Sequence, residues 1–80
     1  MDNEKQRTYP FVAEVNKKSY QCERVVSGSA VLTQTVTVRG VGTESDPASY
    51  GTSTLPVISM EGIATLIAMR IVQKNVPRPA

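Results

Sequence analysis

The chain reads as an α+β domain: a three-stranded antiparallel meander with one C-terminal helix packed on one face (β-β-β-α), and a long loop between the last strand and the helix. Three observations carry this reading. Residues 8–39 alternate apolar and polar side chains with the period of two that half-buried strands require. Two short polar breaks, Asn16-Lys17-Lys18-Ser19 and Ser27-Gly28-Ser29, divide that stretch into three. Residues 59–74, SMEGIATLIAMRIVQK, form a long apolar segment free of proline, and its apolar positions recur with helical spacing.

In the first strand Tyr9, Phe11, Ala13 and Val15 share one face, and Thr8, Pro10, Val12 and Glu14 share the other. Pro10 has no N–H, so the strand begins near it or lies at a sheet edge. In the second, Tyr20, Cys22 and Val26 oppose Gln21 and Glu23. A two-residue loop at Lys17-Lys18 sets Val15 opposite Tyr20 and Ala13 opposite Cys22, which places both apolar sets on one side of a hairpin. The third, AVLTQTVTVR, is rich in β-branched residues. Its Leu32, Val36 and Val38 face reads as core with Gln34 as the one polar member, and its threonine face reads as solvated.

Residues 40–57 carry three glycines, two prolines and many small hydroxyl residues without periodicity. That is long beside the usual connection of about 4–6 residues, and both a surface crossover and a binding loop fit it. Asp46-Pro47 has the chemistry to open a single helical turn, and Thr52 to Leu55 that of a short edge strand. The helix then follows, with Ser59 as cap, Glu61 in the first turn, and Arg70 and Lys74 in the last. Asn75 can terminate it and Pro77 forbids much continuation.

At 100° per residue Met60, Ile63, Ala64, Ile67, Ala68 and Ile71 form one stripe of this helix. Leu66, Met69 and Val72 lie on the opposite side with Gly62, Thr65 and Gln73. A three-stranded sheet covers one side only. The expected protein interface is therefore Leu66, Met69, Val72, Thr65 and Gly62, covered by a second copy in a homodimer or by another protein. The competing cover is the 40–57 loop folded over the helix.

The chemistry is bounded by what is missing. With one cysteine, Cys22, and no histidine among 80 residues, an internal disulfide and a Cys/His zinc site are both excluded. Cys22 falls on the core face, where a thiol is inert. No histidine stands beside any nucleophile, Glu44 and Asp46 alone make a weak cation site, and Gly40-Val41-Gly42 lacks the third glycine of a dinucleotide fingerprint. The expectation is no catalytic, cofactor-binding or metal-binding residues. A small-molecule site of Tyr50, Glu44 and Asp46 at a subunit boundary is the least favoured reading.

The formal net charge of +2 is mildly basic. Lys17, Lys18, Arg24 and Arg39 are the candidate nucleic-acid contacts near one end of the sheet, diluted by Glu14 and Glu23. No apolar run spans a membrane, and the polar start MDNEKQR is unlike a signal peptide, so a cytoplasmic protein of bacterial or phage type is expected. The domain is expected over residues 8–75, with flexible ends at 1–7 and 76–80. The function expected is that of a small non-enzymatic protein-interaction module, adaptor or inhibitor-like, acting as a homodimer. A weak nucleic-acid-binding module is the alternative.

Overall fold

A computed structural model describes residues 6–51 and 60–76. Its elements run β1 (Gln6–Val15), β2 (Lys18–Ser27), β3 (Val31–Val38), β4 (Gly42–Ser45), β5 (Tyr50–Gly51) and α1 (Met60–Asn75). The sheet is antiparallel in the order β1-β2-β3-β4, and β5 pairs with the start of β3. The fold is thus α+β as expected, with four main strands rather than three. The stretch read as a loop from residue 40 contains both β4 and β5. Four-residue and two-residue strands are too short to show a period, which is why the sequence conceals them.

The first hairpin turns at Asn16-Lys17, one residue earlier than expected. Both residues have positive φ, 54° and 65°, as a two-residue type I′ turn demands. Val15 consequently faces Lys18, Ala13 faces Tyr20 and Phe11 faces Cys22. Moving the turn by one residue shifts the register by two, so every side chain stays on its expected face. Strand β1 begins at Gln6, two residues inside the expected arm.

The second hairpin depends on Gly28. Its φ is +113°, and a Cβ there would lie 2.0 Å from the carbonyl oxygen of Val31. Strands β2 and β3 then pair Cys22 with Val38, Arg24 with Val36 and Val26 with Gln34. Val41 N–H closes the next turn on Val38 C=O at 3.0 Å, and β4 pairs Gly42 with Val38 and Glu44 with Val36.

Helix α1 packs against one face of this sheet, touching β1, β3 and β4. The core between them consists of Ala13, Val15, Cys22, Val36 and Val38 from the strands and Ala64, Ile67, Ala68, Ile71 and Val72 from the helix. Val72, expected on the uncovered side, is 1 % exposed. The helix is rolled so that Val72 completes the buried face while Met60 and Ile63 are only partly covered. Two things allow this roll. A fourth strand widens the platform, and Gly42 leaves room there: a Cβ on it would stand 3.2 Å from Ile71 Cγ2. Glu44 meets Arg70 at 3.6 Å and Lys74 at 3.5 Å along the same side. The helix ends with Asn75 Nδ2 donating to Ile71 C=O at 2.9 Å. The expected cap Ser59, the expected strand 52–55, residues 1–5 and the last four residues lie outside the described residues.

Pro10 sits in mid-strand on the open edge. In a two-residue hairpin the flanking pair, here Val15 and Lys18, exchanges both backbone hydrogen bonds, and the pattern alternates from there. The odd residues of β1 therefore bond to β2, and the even ones turn outward. Arg39 N–H donating to Gln21 C=O at 2.9 Å fits this phase, because it turns the odd residues of β2 toward β3. Pro10 thus removes no ladder bond. Instead it removes a donor from the exposed edge and sets its ring there, which disfavours pairing by another strand.

Candidate functional site

A cluster of polar side chains on the covered face of the sheet lies beneath the start of α1. The register puts Arg24, Gln34 and Asp46 on that face, and β5 brings Tyr50 beside them. Gln34, only 2 % exposed, is the hub. Its Nε2 donates to Asp46 Oδ2 at 3.0 Å and to the Met60 carbonyl at 3.1 Å. Its Oε1 accepts from Arg24 at 3.5 Å. Asp46, 8 % exposed, also accepts from Tyr50 Oη at 2.5 Å and from the Ala48 backbone N–H at 2.9 Å. The last bond replaces the helical turn expected at Asp46-Pro47 with an Asx turn.

This cluster ties β3, the end of β4, β5 and the helix start into one unit. Burial raises the Asp46 carboxyl, but hydrogen bonds from Tyr50, Gln34 and Ala48 outweigh it and hold the group below the usual carboxylate range. The same bond to Asp46, helped by burial and by the carboxylate's charge, pushes Tyr50 up to about 12. With three donors on it, Asp46 is anchored rather than poised as a base. Gln34 was visible in the sequence as the polar member of a core face. Asp46 and Tyr50 stood out only together with Glu44 as a small-molecule site; the structure joins Asp46 to Tyr50 and Gln34, while Glu44 pairs instead with Arg70 and Lys74.

Arg24 links the cluster to an open cleft. Its side chain is 11 % exposed, and its guanidinium lies over the Tyr9 ring at 4.5 Å from the centroid. It faces Glu61 of the first helical turn at 3.7 Å, an ion pair in which Glu61 is 79 % exposed. The cleft has a volume of about 290 Å³ and is lined by Tyr9, Pro10, Phe11 and Val12 of β1, by Arg24, and by Glu61 and Thr65 of α1.

Of the four residues expected to contact nucleic acid, Lys17, Lys18 and Arg39 lie toward one end of the sheet, since Arg39 pairs with Gln21 near the first hairpin turn, and Arg24 lies farther along β2. Lys17 is at the hairpin tip, Lys18 lies over the Tyr20 ring at 5.7 Å, and Arg39 is exposed at the turn after β3. Arg24 is held inside the polar cluster. Of the expected protein interface, Gly62 and Leu66 are exposed, Thr65 and Met69 are half-buried, and Val72 belongs to the core.

Cys22 is buried; burial pushes its thiol up, against a backbone hydrogen bond from Ala13 that lowers it. Among the described residues no three His, Cys, Asp or Glu side chains come together to hold a metal ion, and no helix is long and apolar enough to cross a membrane. Comparison with protein-family models, curated proteins and solved structures gives no match.

Proposed function

We propose that the protein is a small non-enzymatic interaction module that acts as a homodimer, joined through the outer crest of α1. The observation that carries this is Leu66, 60 % exposed on a helix whose other sides are buried or ion-paired. At 100° per residue Gly62 and Gln73 flank it on the crest, and Met69 lies at its shoulder. A side chain placed at Gly62 would meet nothing within 4 Å, so a second helix has room to approach there. Isologous contact of this crest with itself covers Leu66 of both copies at once.

The contact is small. Burying two leucine side chains contributes about 3–6 kcal/mol, which even before the cost of association corresponds to a Kd of about 40 μM at best, so the dimer is weak and forms only at high concentration. Size-exclusion chromatography with light scattering at high micromolar concentration should give twice the chain mass, and Leu66→Asp should return it to one chain. A wild-type monomer at that concentration, or a variant that stays dimeric, would remove the proposal.

A further inference from the structure

We propose that the cleft between β1 and the start of α1 is a receptor for an acidic side chain of a partner protein, with Arg24 as its anchor. This rests on the reading of the chain as an interaction module, but it uses a different surface from the dimer crest.

The anchor is pre-oriented and under-used. Arg24 is fixed flat on Tyr9 and steadied by Gln34. Its polar contacts at 3.5 and 3.7 Å are longer than the roughly 2.7–2.9 Å of a charge-assisted hydrogen bond. A guanidinium held this way on an aromatic face matches a carboxylate in two-point geometry. The cleft already carries a carboxylate at the right place, since Glu61 reaches in from the exposed helix turn and pairs with Arg24 at 3.7 Å. We read Glu61 as an internal stand-in that an incoming acid displaces.

Size and lining narrow the occupant. An open cleft of about 290 Å³ has room for one or two amino-acid side chains. Phe11 and Tyr9 line the wall beside Arg24, so the acid should be followed or preceded by an aromatic or branched apolar residue. Pro10 argues against an added strand as the mode of binding, because its edge position offers no donor and its ring stands in the way. The contact is therefore a side-chain insertion rather than an extension of the sheet.

The test is a ¹H–¹⁵N NMR titration of the full chain with the blocked dipeptide acetyl-Phe-Glu-amide. Saturable shifts are expected at the amides of Phe11, Arg24 and Thr65. The glutamine analogue acetyl-Phe-Gln-amide should bind about tenfold more weakly, the effect of one charge-assisted contact. Glu61→Gln, checked for an unchanged urea midpoint, should bind the acidic peptide several-fold more tightly. Arg24→Gln should abolish the preference for acid over amide, with unchanged Ala48 and Tyr50 signals reporting that the Asp46 cluster is intact. Equal affinity for the two peptides overturns the proposal, as does weaker binding in Glu61→Gln. Equal shifts from acetate at the same concentration also overturn it, because the site then takes a free anion. Peptide binding that dissolves the dimer, read by light scattering, assigns the cleft to a second copy instead. A failed titration with the dimer intact sinks this inference alone.

Discussion

Asp46→Ala tests whether the polar cluster, and not only the apolar core, seats the helix on the sheet. The substitution removes the acceptor of three hydrogen bonds: those from Gln34 at 3.0 Å, Ala48 at 2.9 Å and Tyr50 at 2.5 Å. Gln34 keeps its bond to the Met60 carbonyl, and Tyr50 and Ala48, each partly exposed, can turn to water. A net hydrogen bond to a charged group is worth about 1.5–3 kcal/mol, so with these compensations the loss should be about 2–4 kcal/mol. For a domain of this size that corresponds to a Tm lower by roughly 10–30 °C.

The pH dependence adds a signature of its own. The folded-state pKa of Asp46 is depressed, so its contribution is present above the unfolded value of about 3.9 and is lost as pH falls through the folded value. Tyr50 is the opposite case. Raised to about 12, it favours the protonated folded state, and its contribution is complete below pH ~10 and lost as pH climbs from there. Urea denaturation followed by circular dichroism should therefore show wild-type stability dropping at both extremes, with Asp46→Ala flatter at both. The Tyr50–Asp46 bond contributes to both shifts, so a double-mutant cycle with Tyr50→Phe should be non-additive. A loss below about 1 kcal/mol, or additivity within about 0.5 kcal/mol, would refute the reasoning.

Three further outcomes follow from single positions. Lys17→Gly should stabilise the protein by about 0.5–1 kcal/mol in the same denaturation assay, because Lys17 holds φ at 65° in a type I′ turn whose second position favours glycine. Pro10→Val restores a donor to the outward side of β1 and should raise light scattering with time and concentration; an unchanged assembly state would show that Pro10 guards nothing. Cys22 should resist a thiol reagent at pH 8 in the native protein and react fully in urea, since it is 5 % exposed and burial raises its pKa.

How much of this could be read in the sequence depends on the range of the interaction. The faces of β1, β2 and β3 were legible because a period of two is a local property, and they survived a misplaced turn because the register moved by two. The turn itself was misplaced because neither Asn16-Lys17 nor Lys17-Lys18 carries the glycine that marks a type I′ turn, and only the pairing of Val15 with Lys18 decides between them. Gln34 stood out as a polar residue on an apolar face, and Asp46 and Tyr50 as polar residues of the 40–57 stretch, but nothing local joined Gln34 to them. Arg24 was read as a surface cation because nothing near it in sequence discloses that Tyr9, Gln34 and Glu61 converge on it.

The helix shows the division most clearly. Composition and spacing alone determined that residues 59–74 form a helix too apolar to be satisfied by one face of a narrow sheet. Which residues that excess leaves outside was decided by the tertiary structure. The fourth strand broadened the platform, Gly42 made space for Ile71, and the helix rolled until Val72 was covered and Leu66 stood alone on the crest. Periodicity sets the faces of an element relative to one another; only packing against a neighbour sets how the element is turned, because that angle depends on the shapes on both sides of the contact.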